Sequence, residues 1–115
     1  MRSDQMNGLL NFQGGLSLAN RQVIVDFAAA QRLPAVYQSL FFVESGGLMA
    51  WAPDQREQYR SGARYADQIL KGQKPGDIPV RHPEPYLLHL NTRAASAVGL
   101  SLPADLVAQA DKVLS

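Results

Sequence analysis

Leu33-Pro34-Ala35-Val36-Tyr37-Gln38-Ser39-Leu40-Phe41-Phe42-Val43-Glu44-Ser45-Gly46-Gly47-Leu48-Met49-Ala50-Trp51 is the stretch that decides the fold. Ala35-Val36-Tyr37 is a short apolar run behind a proline, which reads as a strand. Ser39 through Glu44 suits one or two helical turns. Gly46-Gly47 ends them, because glycine takes the left-handed conformation at little cost. Leu48-Met49-Ala50-Trp51 is then another apolar run of strand length. Strand, short helix and strand, with unbroken apolar strands, point to a parallel sheet with helices covering both faces.

The alternation continues outward on both sides. Before this stretch, Gly8-Leu9-Leu10-Asn11-Phe12 reads as a buried strand that runs into a turn at Gln13-Gly14-Gly15. Ser17 is expected to cap the next helix. That helix carries an apolar stripe of Val23, Ile24, Phe27 and Ala30, and stops before Leu33-Pro34 because a residue preceding proline avoids the helical region. After the stretch, Pro53-Asp54 opens the longest helix, with Asp54 as its cap and Glu57 reaching back to form a capping box. Tyr59, Ala63, Ala66 and Leu70 share one face of it; Arg56, Arg60 and Arg64 share another. Lys71-Gly72 closes it and Lys74 to Pro79 forms a loop. Val80-Arg81-His82 is a short strand and Tyr86-Leu87-Leu88-His89-Leu90 a clearer one. Asn91 caps a helix running through Val98 that Gly99 closes. Pro103 opens a last helix with a stripe of Leu106, Val107, Ala110 and Val113. The expected fold is α/β, residues 1–115 forming one unit.

Eleven basic and ten acidic residues are scattered along the 115, for a net charge of +1. No basic stripe is present, so nucleic acid is not an expected partner. With no cysteine, disulfides, thiolate metal sites and a cysteine nucleophile are excluded. No segment is apolar over the ~18 residues a membrane span requires. Met1-Arg2-Ser3-Asp4-Gln5 has one basic residue and no apolar run behind it, so it is not a signal peptide. The sequence as given carries no export address and would be expected in the cytoplasm.

Catalytic patterns are missing. Gly14-Gly15 lacks the further glycines or the Gly-Lys-Ser/Thr ending of a phosphate loop and reads as a turn. His82 and His89 have no partner at metal-ligand spacing. None of the serines sits in a Gly-x-Ser-x-Gly elbow. Glu44 and Asp54 flank a strand, but Asp54 has a capping role to fill. The arginine ladder is an ordinary solvated helix face. No catalytic residue, metal site or cofactor is expected, and the reading is a binding module, not an enzyme. Phe41, Phe42 and Trp51 lie near the carboxyl ends of strands, where open α/β sheets take ligands and aromatic rings can stack on a small organic solute.

Three runs carry a family likeness: Arg32 to Tyr37; Phe42 through Gly46-Gly47-Leu48-Met49-Ala50-Trp51-Ala52-Pro53 to Asp54; and Tyr65-Ala66-Asp67-Gln68-Ile69-Leu70-Lys71-Gly72-Gln73-Lys74-Pro75-Gly76-Asp77-Ile78-Pro79-Val80. With Asn91 and its short helix, Gly99-Leu100 and Pro103, they resemble the ABC-transporter substrate-binding proteins. The resemblance covers nearly everything after about Gly8. It implies a Rossmann-like lobe of a type I periplasmic-binding-protein fold, this chain being the C-terminal portion of a two-lobed protein. It further implies closure of two lobes about a hinge on a small organic solute such as an amino acid, an ABC permease as partner of the full-length protein, and a periplasmic location. The ligand candidates by position are Gln13, Gln38, Phe42 and Trp51, with Asp54 organising the helix on the hinge side. Where the family often has Tyr-Gly before Pro-Asp, this chain has Trp51-Ala52, which alters a cleft-facing position. Apolar surface meant for the other lobe predicts a homo-oligomer. The rival readings are a truncated, non-transporting homologue acting through self-association or partner binding, and a small flavodoxin-like enzyme.

Overall fold

The computed structural model describes residues 6–12, 14–82 and 85–115. Gln13, one of the ligand candidates, lies outside them. The described chain separates into two compact units where the sequence suggested one: the first runs to Ala52 and resumes at Leu87–Ser115, and the second is Pro53–Tyr86.

The first unit is built on β1 (Leu9–Asn11), β2 (Ala35–Tyr37), β3 (Met49–Pro53), β4 (Tyr86–Asn91) and β5 (Lys112–Leu114), which form one sheet in the order β1-β2-β3-β4-β5. The sheet is mostly parallel, as expected: β1 pairs with β2, β2 with β3, and β4 with β5 in that sense. Between β3 and β4 the sense reverses. Asn91 N–H donates to Leu48 O and Asp54 N–H to Pro85 O, each at 2.9 Å, so numbers rise on one strand as they fall on the other, the order of antiparallel neighbours.

α1 (Gly15–Ala19), α2 (Arg21–Ala30) and α3 (Leu40–Glu44) follow β1 and β2. Ser17 does not cap α1. Gly14 holds the N-cap position and Ser17, three residues on, reaches back: Gly14 N–H donates to Ser17 Oγ at 3.0 Å, and the hydroxyl donates to Gly14 O at 2.9 Å. The stripe expected on α2 is also turned. Val25 and Ala28 are the buried residues, Ile24 packs partly against the core, and Val23 and Phe27 face outward. Packing decides the face: Val25 and Ala28, three residues apart on one side of the helix, meet the core.

The core joins Val25 and Ala28 of α2, Ala35 and Tyr37 of β2, Phe42 and Val43 of α3, and Ala50 of β3. Burying a Val or Phe side chain contributes roughly 1.5–3 kcal/mol, so α3 is held chiefly by its two buried residues. Tyr37 and Phe42 stack with centroids 4.7 Å apart and planes 12° from parallel. That close packing explains the double glycine. Gly46 has φ +101° and ends α3, donating to Val43 O at 3.0 Å. A β-carbon on Gly47 would lie 2.6 Å from Tyr37 Cε2 and 2.8 Å from Phe42 O.

The opposite face of β1–β3 is less covered than the sequence suggested. Leu10 and Trp51 are exposed there and Val36 and Met49 half-buried, so in this region helices cover mainly one face. At the far edge, Asn91 caps α5 (Thr92–Ala97), its Oδ1 accepting from Ala94 N–H at 3.0 Å, as the sequence indicated. α6 (Ala104–Gln109) begins after Pro103 but ends earlier than its apolar stripe implied. Val113 belongs to β5, which Asp111 sets in place: its carboxylate accepts from Leu88 N–H at 2.7 Å and its own N–H donates to Leu88 O at 2.9 Å.

The second unit contains α4 (Gln55–Leu70), a single 3-10 turn at Pro75–Asp77, and extended chain. The expected strand at Val80-Arg81-His82 is not formed. Asp54 caps α4 as expected, accepting from Arg56 N–H at 2.9 Å. The capping box is not completed, because Glu57 pairs with Arg60 and Arg64 and Asp54 N–H goes to Pro85 O. Among the described residues α4 buries none of its own side chains.

Candidate functional site

Parallel register lines up the carboxyl ends of the first three strands. Asn11 lies beside Tyr37, and Tyr37 beside Ala50. One residue further, the same register places Phe12, Gln38 and Trp51 in a row, at the ~4.8 Å spacing of neighbouring strands. Alternation along a strand turns this row away from the Tyr37 core. Phe12 is 65% exposed, Trp51 is 62% exposed, and Gln38 is exposed as well. The row therefore presents two aromatic surfaces flanking an amide.

Two polar groups without partners lie at the same strand ends, on the Tyr37 face opposite the row. Asn11 ends β1 and Ser39 follows β2 by two residues. Asn11 Oδ1 and Ser39 Oγ are buried, and neither has a hydrogen-bond partner among the described residues. A buried oxygen left unpaired costs roughly 1–3 kcal/mol, and such an atom is worth asking a function of. Gln38 is tied down by its backbone, its N–H donating to Asn11 O at 3.3 Å. The strand ends thus carry unpaired oxygens on the buried face and stacking surfaces on the exposed one. They hold no nucleophile with a base beside it, and among the described residues no group of three His, Asp or Glu stands close enough to hold a metal.

The positions proposed from sequence divide. Gln38 and Trp51 share the row. Phe42 is 0% exposed and stacked on Tyr37 inside the core, so it stands behind the surface and is withdrawn as a ligand contact. Asp54 caps α4 in the second unit. Phe12, Asn11 and Ser39 were missed. Their signal was present: each ends or follows a strand, and a serine two residues past a buried strand is a natural cleft position.

A family profile described as ABC transporter substrate binding protein matches residues 15–114. The chain belongs to that family. No curated protein sequence matches the chain. Among solved structures, it is similar to a conserved domain protein of Vibrio cholerae O1 biovar El Tor, with 20% identity and a TM-score of 0.87, covering 93% of this chain and 36% of that one. It is similar to an ABC domain of Streptococcus pneumoniae in complex with L-tryptophan, with 22% identity and a TM-score of 0.87, covering 96% and 37%. It also resembles the ligand-free, open CD0873 of Clostridium difficile, a substrate-binding protein with adhesive properties, with 18% identity and a TM-score of 0.64, covering 93% and 36%. These likenesses establish the fold. The chain spans little more than a third of the length of the structures it matches. Among the described residues no helix is long and apolar enough to cross a membrane.

Proposed function

We propose that this chain supplies part of the solute-binding site of an ABC importer's substrate-binding protein, and that the solute is a small organic molecule of the amino-acid class. The reading rests on the carboxyl ends of β1–β3, which carry the exposed Phe12–Gln38–Trp51 row on one face and the unpaired Asn11 Oδ1 and Ser39 Oγ on the other. Two acceptor-capable oxygens suit an ammonium or amide donor, and exposed aromatic rings suit an apolar or aromatic side chain. The L-tryptophan in the Streptococcus pneumoniae structure supports trying aromatic amino acids first. The role is binding, and its completion falls to closure of the whole protein's two lobes about a hinge. An ABC permease is the partner this function requires, and the periplasm is the compartment in which it works.

The test is a thermal-shift screen over the common amino acids on this chain and on the protein with both lobes. A ligand that binds the native state raises its melting temperature by mass action. The expected result is a shift with an aromatic amino acid that Trp51→Ala and Ser39→Ala each reduce. A two-lobed protein that no amino acid stabilises, or a shift indifferent to Trp51 and Ser39, sinks the proposal.

A further inference from the structure

The chain has four asparagines, and their settings differ. Asn11 lies within β1 and is followed by Phe12. Asn20 donates through Nδ2 to Leu16 O at 2.9 Å and is followed by Arg21, the first residue of α2. Asn91 is buried and accepts through Oδ1 from Ala94 N–H at 3.0 Å at the head of α5. At each of these three a strand or helix end fixes the backbone, and the next residue carries a side chain. Asn7 differs on both counts. It precedes β1, and Gly8 follows it.

An asparagine side chain is short enough to fold back on the backbone nitrogen of the next residue. There its Cγ and that nitrogen can close a five-membered ring. Glycine in the next position removes the β-carbon that crowds the approach and widens the backbone conformations open to it. Among the described residues Gly8 N–H has no acceptor, whereas Leu9 N–H donates to Pro34 O at 2.8 Å. The first rung of the sheet therefore lies one residue beyond the nitrogen that would react. Asparagine is a thermolabile residue for this reason, and Asn7 is the one that the fold leaves unguarded among the described residues.

We propose that Asn7-Gly8 is a site of spontaneous deamidation. Gly8 N gives up its proton and attacks Asn7 Cγ, forming the ring bond of a succinimide. The Cγ–Nδ2 bond breaks, and Nδ2 leaves with that proton as ammonia. Water then adds to one of the two ring carbonyls, and the bond from that carbonyl to Gly8 N breaks. Opening at Cγ gives aspartate. Opening at the Asn7 backbone carbonyl gives isoaspartate, with the main chain rerouted through the β-carbon. Either product puts a carboxylate where an amide stood, so the net charge of +1 falls by one, to neutral. Proteins near zero net charge associate more readily. Leu9 keeps its bond to Pro34, so the product retains the fold and accumulates as a native, more acidic form. No residue of the Phe12–Gln38–Trp51 row takes part, which makes this site independent of the solute site.

The experiment holds the full chain in mildly alkaline buffer at body temperature and follows it by ion-exchange chromatography and peptide mass spectrometry. The expected result is a more acidic species that grows with time, with the change at residue 7 and paired aspartate and isoaspartate peptides. Asn11, Asn20 and Asn91 stay intact over the same period. Gly8→Ala slows the conversion by about tenfold or more, because a β-carbon restores the crowding and narrows the backbone. Asn7→Gln removes the acidic species, and it alters no residue of the sheet. Circular dichroism of the acidic species matches that of the starting protein. A time course without conversion at residue 7 overturns the proposal, as does an acidic species that persists in Asn7→Gln. The protein with both lobes is treated in parallel and is expected to convert at the same residue. Asn7 left intact there would show that the rest of the chain covers this joint, and would overturn the proposal equally.

Discussion

Arg32 carries φ +52° at the turn that ends α2, where Arg32 N–H donates to Ala29 O and Leu33 N–H to Ala28 O. A β-carbon in the left-handed region costs roughly 1–2 kcal/mol, and Arg32 is exposed. Glycine there removes that strain but adds unfolded-chain entropy of roughly 0.5–1 kcal/mol. Arg32→Gly is therefore expected to stabilise the protein by a few tenths to about 1 kcal/mol in urea titration. Tyr37, 1% exposed, is a second residue whose setting is measurable: burial pushes its hydroxyl up to about 12. The folded pKa lies above the unfolded value of ~10, so the native state keeps this proton longer. Its contribution is whole below pH ~10 and is lost as pH rises from ~10 towards ~12, a matter of roughly 2–3 kcal/mol. Absorbance at 295 nm should show a late ionisation phase near pH 12. Tyr37→Phe should remove that phase; a wild-type titration without it would contradict the burial.

At the scale of elements, β1 to β4 and most helices were legible because each depends on residues close in sequence. Gly46-Gly47 ended α3 where expected and Asn91 capped α5. What was not legible depended on partners far along the chain. β5 exists because Asp111 pairs with Leu88, 23 residues away, and no local pattern announces that. The stripe on α2 was misjudged because packing against β2, α3 and β3, not local spacing, chose the face that is buried. Phe42 looked like a cleft residue by position, yet stacking on Tyr37 drew it into the core. The same packing makes Gly47 a sharp test. Gly47→Ala would force the Tyr37 ring and the Phe42 carbonyl apart, and overpacking of that kind costs roughly 1–3 kcal/mol. A midpoint in urea unchanged from wild type would show that the contact relaxes freely.

The whole molecule exposes more apolar surface than its composition suggests. Leu10, Phe12 and Trp51 stand open on the first unit, and Tyr59 and Leu70 on α4. Surfaces of this kind mark interaction sites. This chain prepared alone is expected to self-associate, read as a mass by light scattering that rises with concentration, and Phe12→Ser with Trp51→Ser should shift it towards monomer. A concentration-independent monomer would refute this.

The reversal between β3 and β4 has a topological meaning. The chain leaves the first unit after Ala52 and returns at Leu87, and Asp54 N–H is hydrogen-bonded to Pro85 O at 2.9 Å beside those two points. The second unit is thus an insert whose entrance and exit are already joined, and its removal leaves ends that need only a tight bend. Replacing residues 55–84 by Asn-Gly would turn β3 and β4 into a plain hairpin. The shortened protein should keep the Tyr37 ionisation phase, and by that sign the first unit would stand as a folding unit in its own right.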